Sequence, residues 1–285
     1  MNVNLGPFAI QVSHLLLLVS IVVAAIVGHL VGRRDRIGIS NVLMDMLLAA
    51  MLTARIVFVA IWFDQYREAP WSIFDIRDGG FTPWAGIAAA IGLALWRGSK
   101  RPELRRPLSL GLIAGALTWA MSGAPGMLGT TGQKVLPSLE LKTLAGESST
   151  LASISHGKPM VVNLWATWCP PCRREMPVLA QAQQDETEVV FVFVNQGEDA
   201  ARVQDYLRNS QLKLDHVLMD SRSELGRTIG SNALPLSLFY DAGGRLLDTH
   251  TGALSMATLA AKLRSIRSQT GGRPDARATG GPDKI

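Results

Sequence analysis

Residues 163–177 read NLWATWCPPCRREMP and hold both cysteines of the 285-residue chain. The run PMVVNLWA (159–166) leading into them is short, apolar and β-branched, the pattern of a buried strand. From Cys169 the chain can turn helical through about Gln184, with prolines at the start and Met176, Leu179 and Ala180 on one face. Pro177 interrupts that helix and predicts a kink. A Cys-x-x-Cys at a strand-to-helix junction has three candidate roles: redox exchange, metal binding or a plain crosslink. Structural zinc takes four ligands, and His156, His216 and His250 lack ligand spacing, although two thiolates alone suffice for Cu(I). A crosslink closing so small a loop restrains little of the unfolded chain.

Downstream the pattern alternates. VVFVFVN (189–195) reads as a second buried strand, DAARVQDYLRNS (199–210) as a helix, DHVLMD (215–220) as a strand and SELGRTIG (223–230) as a helix. LSLFYDAGGRLLDTH (236–250) reads as two strands joined by an Asp-Ala-Gly-Gly turn. SMATLAAKLRSIR (255–267) is an amphipathic helix, and the Gly/Pro-rich residues 269–285 are expected to be disordered. The domain so outlined spans residues 138–268, behind a polar linker at 129–137.

The first 128 residues differ in kind. Residues 8–31 carry no formal charge and at 1.5 Å per residue can cross about 30 Å of hydrocarbon. Residues 40–63, 81–96 and 108–128 are the next apolar runs, the last loosened by Gly111, Gly115, Gly123 and Pro125. The expectation is an α-helical membrane bundle of about four spans, in contact with membrane lipid, followed by an α/β domain. A cleaved signal peptide fits poorly, since no positive charge precedes the first run. The formal charge of +5 concentrates between apolar runs, at Arg33, Arg34 and Arg36 and again at Arg97, Lys100, Arg101, Arg105 and Arg106. That placement argues for membrane orientation and against a nucleic-acid partner. The loop between the second and third runs carries Asp64, Glu68, Asp75 and Asp78 against Arg67 and Arg77. Basic loops stay cytoplasmic, so four spans place the cysteines outside, in an oxidising compartment; three would place them in the cytosol. Arg55, deep in the second run, reads either as functional, or as paired with Asp45 or snorkelling along a bundle interior.

The stretch ARIVFVAIWFDQYREAPWSIFDIRDGGFTPWAGIAAAIG resembles the early part of the prolipoprotein diacylglyceryl transferase family. Arg55, Gly79, Gly80 and Gly86 fit that family's Arg-containing helix and Gly-rich run, but Trp84 stands where its functional His falls. The resemblance implies a truncated membrane module without the transferase chemistry.

Over about residues 135–268 the chain resembles the TlpA/ResA/CcmG group of membrane-tethered thioredoxin-like reductases. NLWATWCPPCRREMP, VNQGEDAARVQDYL with LDHVLMD, and NALPLSLFYDAGGRLL carry the likeness. It implies a thioredoxin-like domain, with no cofactor of its own, in the periplasm of a bacterial inner (plasma) membrane protein. The substrates implied are protein disulfides, such as apocytochrome c haem-site or copper-site cysteines. A transmembrane thiol donor of DsbD/CcdA type would supply electrons. A Cu(I) chaperone and a disulfide oxidase are the competing functions.

Cys169 at a helix N-terminus would favour its thiolate, the attacking species in disulfide exchange, and Cys172 would resolve the mixed disulfide. Pro170 and Pro171 withhold two N–H donors and stiffen the loop. Pro235 matches the position where thioredoxin-like folds place a cis-proline beside the cysteines. Trp168 is expected at the site surface. Glu175 reads either as a proton acceptor for Cys172 or as a solvated charge beside Arg173 and Arg174. Glu198 reads either as a second tuning acid or as a helix N-cap region acid.

Overall fold

A computed structural model describes residues 2–5, 8–32, 39–67, 70–128 and 135–270, which fall into two compact units. Arg33, Arg34, Arg36, Glu68, most of the expected linker and residues 271–285 of the expected tail lie outside the described residues. The last two residues before them end a helix.

In the N-terminal unit a hairpin, β1 (Asn2–Leu5) and β2 (Phe8–Gln11), precedes the helix α1 (Val12–Gly32). The first apolar run therefore starts as a strand, and its helix begins four residues later than its lack of charge predicts. Then come α2 (Ile39–Ile61), α3 (Phe63–Arg67), two short 3₁₀ turns, α4 (Pro83–Lys100) and α5 (Arg105–Leu128). Among the described residues, Leu15–Gly32 and Ile39–Ile61 are long and apolar enough to cross a membrane. At 18 residues α4 is about 27 Å long, just short of the hydrocarbon thickness.

Helices α1 and α5 pack at backbone contact. A Cβ at Gly111 would sit 2.8 Å from the Ala24 carbonyl oxygen, and one at Gly115 2.9 Å from that of Ser20. Glycines four apart present one small face, so the residues that loosen α5 as an isolated span are those that let it approach α1.

Asp45 and Arg55 do not pair. Ten residues apart on α2, they lie about 15 Å apart along its axis. Asp45 instead meets Arg97 of α4 at 2.6 Å, and the buried Arg55 meets Asp78 at 2.8 Å. The Arg55 guanidinium also donates to the carbonyls of Gly80 (2.8 Å), Ile73 (2.9 Å), Asp75 (3.1 Å) and Ser72 (3.2 Å). Tyr66 donates its hydroxyl to Asp78 Oδ2 at 3.1 Å, and the Gly80 N–H donates to Asp78 Oδ1 at 2.9 Å. The loop between α3 and α4 is folded around this ion pair.

The C-terminal unit is a seven-stranded mixed sheet. Its elements are β3 (Glu140–Thr143), β4 (Ser148–Thr150), α6 (Leu151–Ser155), β5 (Met160–Trp165), α7 (Pro170–Asp185), β6 (Val190–Gln196) and α8 (Ala200–Asn209). They continue as β7 (His216–Asp220), α9 (Glu224–Ile229), β8 (Leu236–Tyr240), β9 (Leu246–Thr251) and α10 (Met256–Thr270). The strand order is β4-β3-β7-β6-β5-β8-β9. Strands β5, β6 and β7 run parallel, while β8 pairs antiparallel with β5 and β3 antiparallel with β7. The β3–β4 hairpin and α6, which the sequence patterns leave unread, complete one edge.

Every residue of β5 is buried, so it needs apolar cover on both faces. Val161 and Trp165 face a core with Phe191, Phe193, Met176, Leu179 and Leu263. Met160, Val162 and Leu164 face the other, with Val192, Val194, Leu225 and Leu238. Since α7 contributes Met176 and Leu179 to the first core, its N-terminus is held over the C-terminal end of β5.

The glycine contact is testable. Gly111→Leu should destabilise the N-terminal unit by about 1–3 kcal/mol, because backbone cannot yield to the added side chain. Gly92→Ala, with nothing within 4 Å of the new Cβ, should stay within about 1 kcal/mol of the parent. Thermal unfolding in detergent, read by helical circular dichroism, would compare the two; equal losses would refute the close approach.

Candidate active site

The chain leaves β5 at Trp165, turns over residues 166–168 and enters α7 with Cys169 as its N-cap. The Cys169 N–H donates to the Ala166 carbonyl at 3.2 Å. Cys169 and Cys172 are joined as a disulfide, with sulfurs 2.06 Å apart and both residues buried. Pro170 and Pro171 strip the first two helical positions of donors, so the Cys172 N–H is the amide that reaches Cys169 Sγ, at 3.3 Å. An N–H aimed at sulfur at a helix N-terminus favours negative charge there once the disulfide opens.

The two tryptophans part company. Trp165 is fully buried and packs against Tyr206 with ring centres 5.6 Å apart and planes tilted by 48°, whereas Trp168 is 61% exposed beside the cysteines. Pro235 follows a cis Leu234–Pro235 bond and precedes β8. Because Leu164 pairs with Leu236 in antiparallel register, Pro235 falls opposite Trp165, at the end of β5 that leads to Cys169.

Glu198, just past β6, is buried and accepts three hydrogen bonds. They come from the Thr167 N–H (2.7 Å), the Thr167 hydroxyl (2.5 Å) and Asn195 Nδ2 (2.8 Å). The exposed Arg202 approaches it at 3.3 Å. Its carboxylate thus clamps the turn between β5 and Cys169 rather than capping α8, whose N-cap is Asp199.

Glu175 lies inside the domain, not on a solvated face with Arg173 and Arg174. It is 1% exposed and one helical turn beyond Cys172. Asn163 Nδ2 donates to Glu175 Oε1 at 2.8 Å and the Leu254 N–H to Oε2 at 2.9 Å. Burial lifts its carboxyl from 4.5 to about 7, against the pull of those two donors. Asn163 Nδ2 also donates to Ser237 Oγ at 3.0 Å, while its Oδ1 is buried without a donor.

Asn163, Thr167, Asn195 and Ser237 went unread in the sequence. The signal for Asn163 was a lone Asn within an otherwise apolar strand, and for Asn195 an Asn closing an apolar run, since a buried amide demands partners.

Residues 130–263 match the Redoxin family, and residues 1–122 match the prolipoprotein diacylglyceryl transferase family. The Pseudomonas fluorescens biotype C thiol:disulfide interchange protein DsbE is 31% identical over 137 residues, or 47% of this chain and 76% of the relative. The chain belongs to the thiol:disulfide interchange proteins. The Halalkalibacterium halodurans thiol-disulfide oxidoreductase ResA is 30% identical to this interchange protein over 117 residues, 40% of the chain and 65% of the relative. A thioredoxin family thiol:disulfide interchange protein from Chlorobium tepidum TLS, of solved structure, is 29% identical; the match covers 46% of this chain and 94% of that one, at a TM-score of 0.41. By its Redoxin match and its interchange relatives the chain is a thioredoxin-like thiol-disulfide oxidoreductase, with a helical N-terminal half that matches the transferase family.

Two outcomes follow for the buried acids of the interchange protein. Between about pH 4.5 and 7 the folded state keeps the Glu175 proton that the unfolded chain has released, so stability falls as pH rises through that window and levels off above it. Glu175→Gln should abolish this slope and gain, relative to the parent, on the order of 3 kcal/mol between about pH 4 and pH 8. Denaturant unfolding of a fragment starting near Val135, repeated across pH, would measure it; parallel pH profiles would refute the burial argument. Glu198→Ala leaves the Thr167 N–H and the Asn195 amide without their acceptor and should cost about 2–4 kcal/mol in the same assay.

Proposed function

We propose that this protein is a membrane-anchored reductase of protein disulfides, working through a Cys169/Cys172 exchange cycle. The observation that carries the reading is the Cys172 N–H donating to Cys169 Sγ at the N-cap of α7. In the reduced state the Cys169 thiolate attacks a substrate disulfide, forming a mixed disulfide and expelling one substrate thiolate, which takes up a proton. Cys172 then loses its proton and attacks Cys169 Sγ, expelling the second substrate thiolate and closing the Cys169–Cys172 disulfide. Two electrons pass to the substrate, and an external thiol donor must return them.

Glu175 is the proposed acceptor of the Cys172 proton, since a carboxyl titrating near neutrality loses and regains a proton readily. The Asn163 amide supports that role: a half-turn would present its unpaired Oδ1 to a protonated Glu175. Glu198, Pro170, Pro171 and Pro235 position the turn and the neighbouring strand, and Trp168 offers an exposed aromatic beside the sulfurs.

For the whole chain we infer a membrane module at 1–128, a linker at 129–137 and a redox domain at 138–268. The apolar helices at Leu15–Gly32 and Ile39–Ile61 support anchoring, and the basic and acidic loops favour the periplasmic face of a bacterial inner membrane. Candidate substrates are the haem-site cysteines of apocytochrome c or copper-site cysteines, with a transmembrane donor of DsbD/CcdA type.

The reduction potential of the Cys169–Cys172 pair in the full chain tests the direction. Equilibration with dithiothreitol or glutathione, read by alkylation of free thiols, should give about −270 mV or below. A value near −120 mV would make the protein an oxidant, and the reductase reading would fall.

A further inference from the structure

Beside the cysteine pair, α7 and the chain from Tyr206 of α8 to Leu212 flank an open groove of about 410 Å³, whose walls include Pro170, Arg173, Arg174, Pro177, Tyr206 and Leu212. The α7 members recur at helical spacing, so they form one face starting next to Cys169 and running about 10 Å along the axis.

Three features set this groove apart from an ordinary solvated helix face. Arg173 and Arg174 are exposed, and neither forms an ion pair among the described residues, although other arginines of this domain, such as Arg202, Arg208 and Arg245, do. The Arg173 guanidinium is placed by an aromatic anchor: its Cζ lies 5.9 Å from the centre of the Tyr206 ring, which rests on the buried Trp165. Such stacking leaves guanidinium N–H donors free to fork onto a carboxylate. Pro177 has no N–H, so α7 makes no backbone hydrogen bond from that position to the Arg173 carbonyl along this face.

We propose that this groove selects disulfide substrates that carry an acidic side chain close in sequence to the reacting cysteine. An extended chain advances about 3.4 Å per residue, so the groove length corresponds to an offset of about three residues from the sulfur attacked. Arg173 and Arg174 determine specificity here and take no part in bond making. The proposal rests on the thiol-exchange reading above and deepens it by naming the chemistry of the polypeptide recognised.

The test uses the reduced full-length protein in detergent. The rate at which dithiothreitol reduces the Cys169–Cys172 disulfide of the oxidised form is the reference for each variant. Two disulfide-linked peptides, identical except for Glu or Lys about three residues from one cysteine, are then compared. At low salt the Glu peptide should react about three- to tenfold faster than the Lys peptide, through KM rather than kcat, and salt should erase the difference. In the double variant Arg173→Glu, Arg174→Glu the preference should invert, whereas a merely structural defect would slow both peptides alike. A ratio near one, or a ratio indifferent to charge reversal, with dithiothreitol exchange intact, overturns the groove and leaves the oxidoreductase standing. Failure to exchange with dithiothreitol overturns both.

Discussion

The Glu198 carboxylate is the constraint on which the site geometry depends. Strand β5 is covered on both faces, so its C-terminal end is fixed by the two cores. The chain must then turn within residues 166–168 and start α7 with a cysteine as its N-cap. That turn leaves polar groups buried, and the Thr167 N–H and hydroxyl find their acceptor on Glu198, 31 residues later in the chain. Because β5 and β6 run parallel, their C-terminal ends lie at the same edge of the sheet. A residue just past β6 can therefore reach the turn just past β5. Open α/β sheets commonly place reactive groups at this edge for the same topological reason.

Two buried glutamates flank the cysteines, and their surroundings divide the labour. Glu198 accepts three hydrogen bonds and has Arg202 beside it. Glu175 has two donors and no cation in contact among the described residues, within a core of Met176, Leu179 and Trp165. Desolvation then dominates and its carboxyl titrates near neutrality. Glu198 thus holds the turn through its hydrogen bonds, while Glu175 is a buried carboxyl lifted toward neutrality by desolvation.

How much of this was legible depends on the range of each interaction. The elements from 159 to 267 followed from local alternation, because a strand buried on both faces and an amphipathic helix each leave a short-range pattern. The β3–β4 hairpin did not, since it is short, polar and half-exposed. Glu175 carried a mixed signal: Arg173 and Arg174 pointed to solvent, yet Cys172, Glu175, Met176 and Leu179 recur at the spacing of one buried helical face. Glu198 could be marked as a candidate but not as a clamp, because nothing local to GED names Thr167 as its partner. Gly111 and Gly115 looked like helix breakers because propensity is a property of one helix, while their use is a property of two.

Arg55 shows the same limit and bears on what the N-terminal half can do. A guanidinium has five N–H donors. Nε donates to the Ile73 carbonyl, Nη1 to Asp78 and Gly80, and Nη2 to Ile73, Asp75 and Ser72, so all five are engaged within the chain. Tyr66 and Phe81 place their rings 5.6 and 5.8 Å from its Cζ. An arginine so enclosed has no donor left for an anionic ligand, and drawing it out would leave Asp78 buried without its cation, a loss of about 3–5 kcal/mol. The charge that reads in sequence as a functional outlier in a span is, in the fold, the core of the loop that joins two helices.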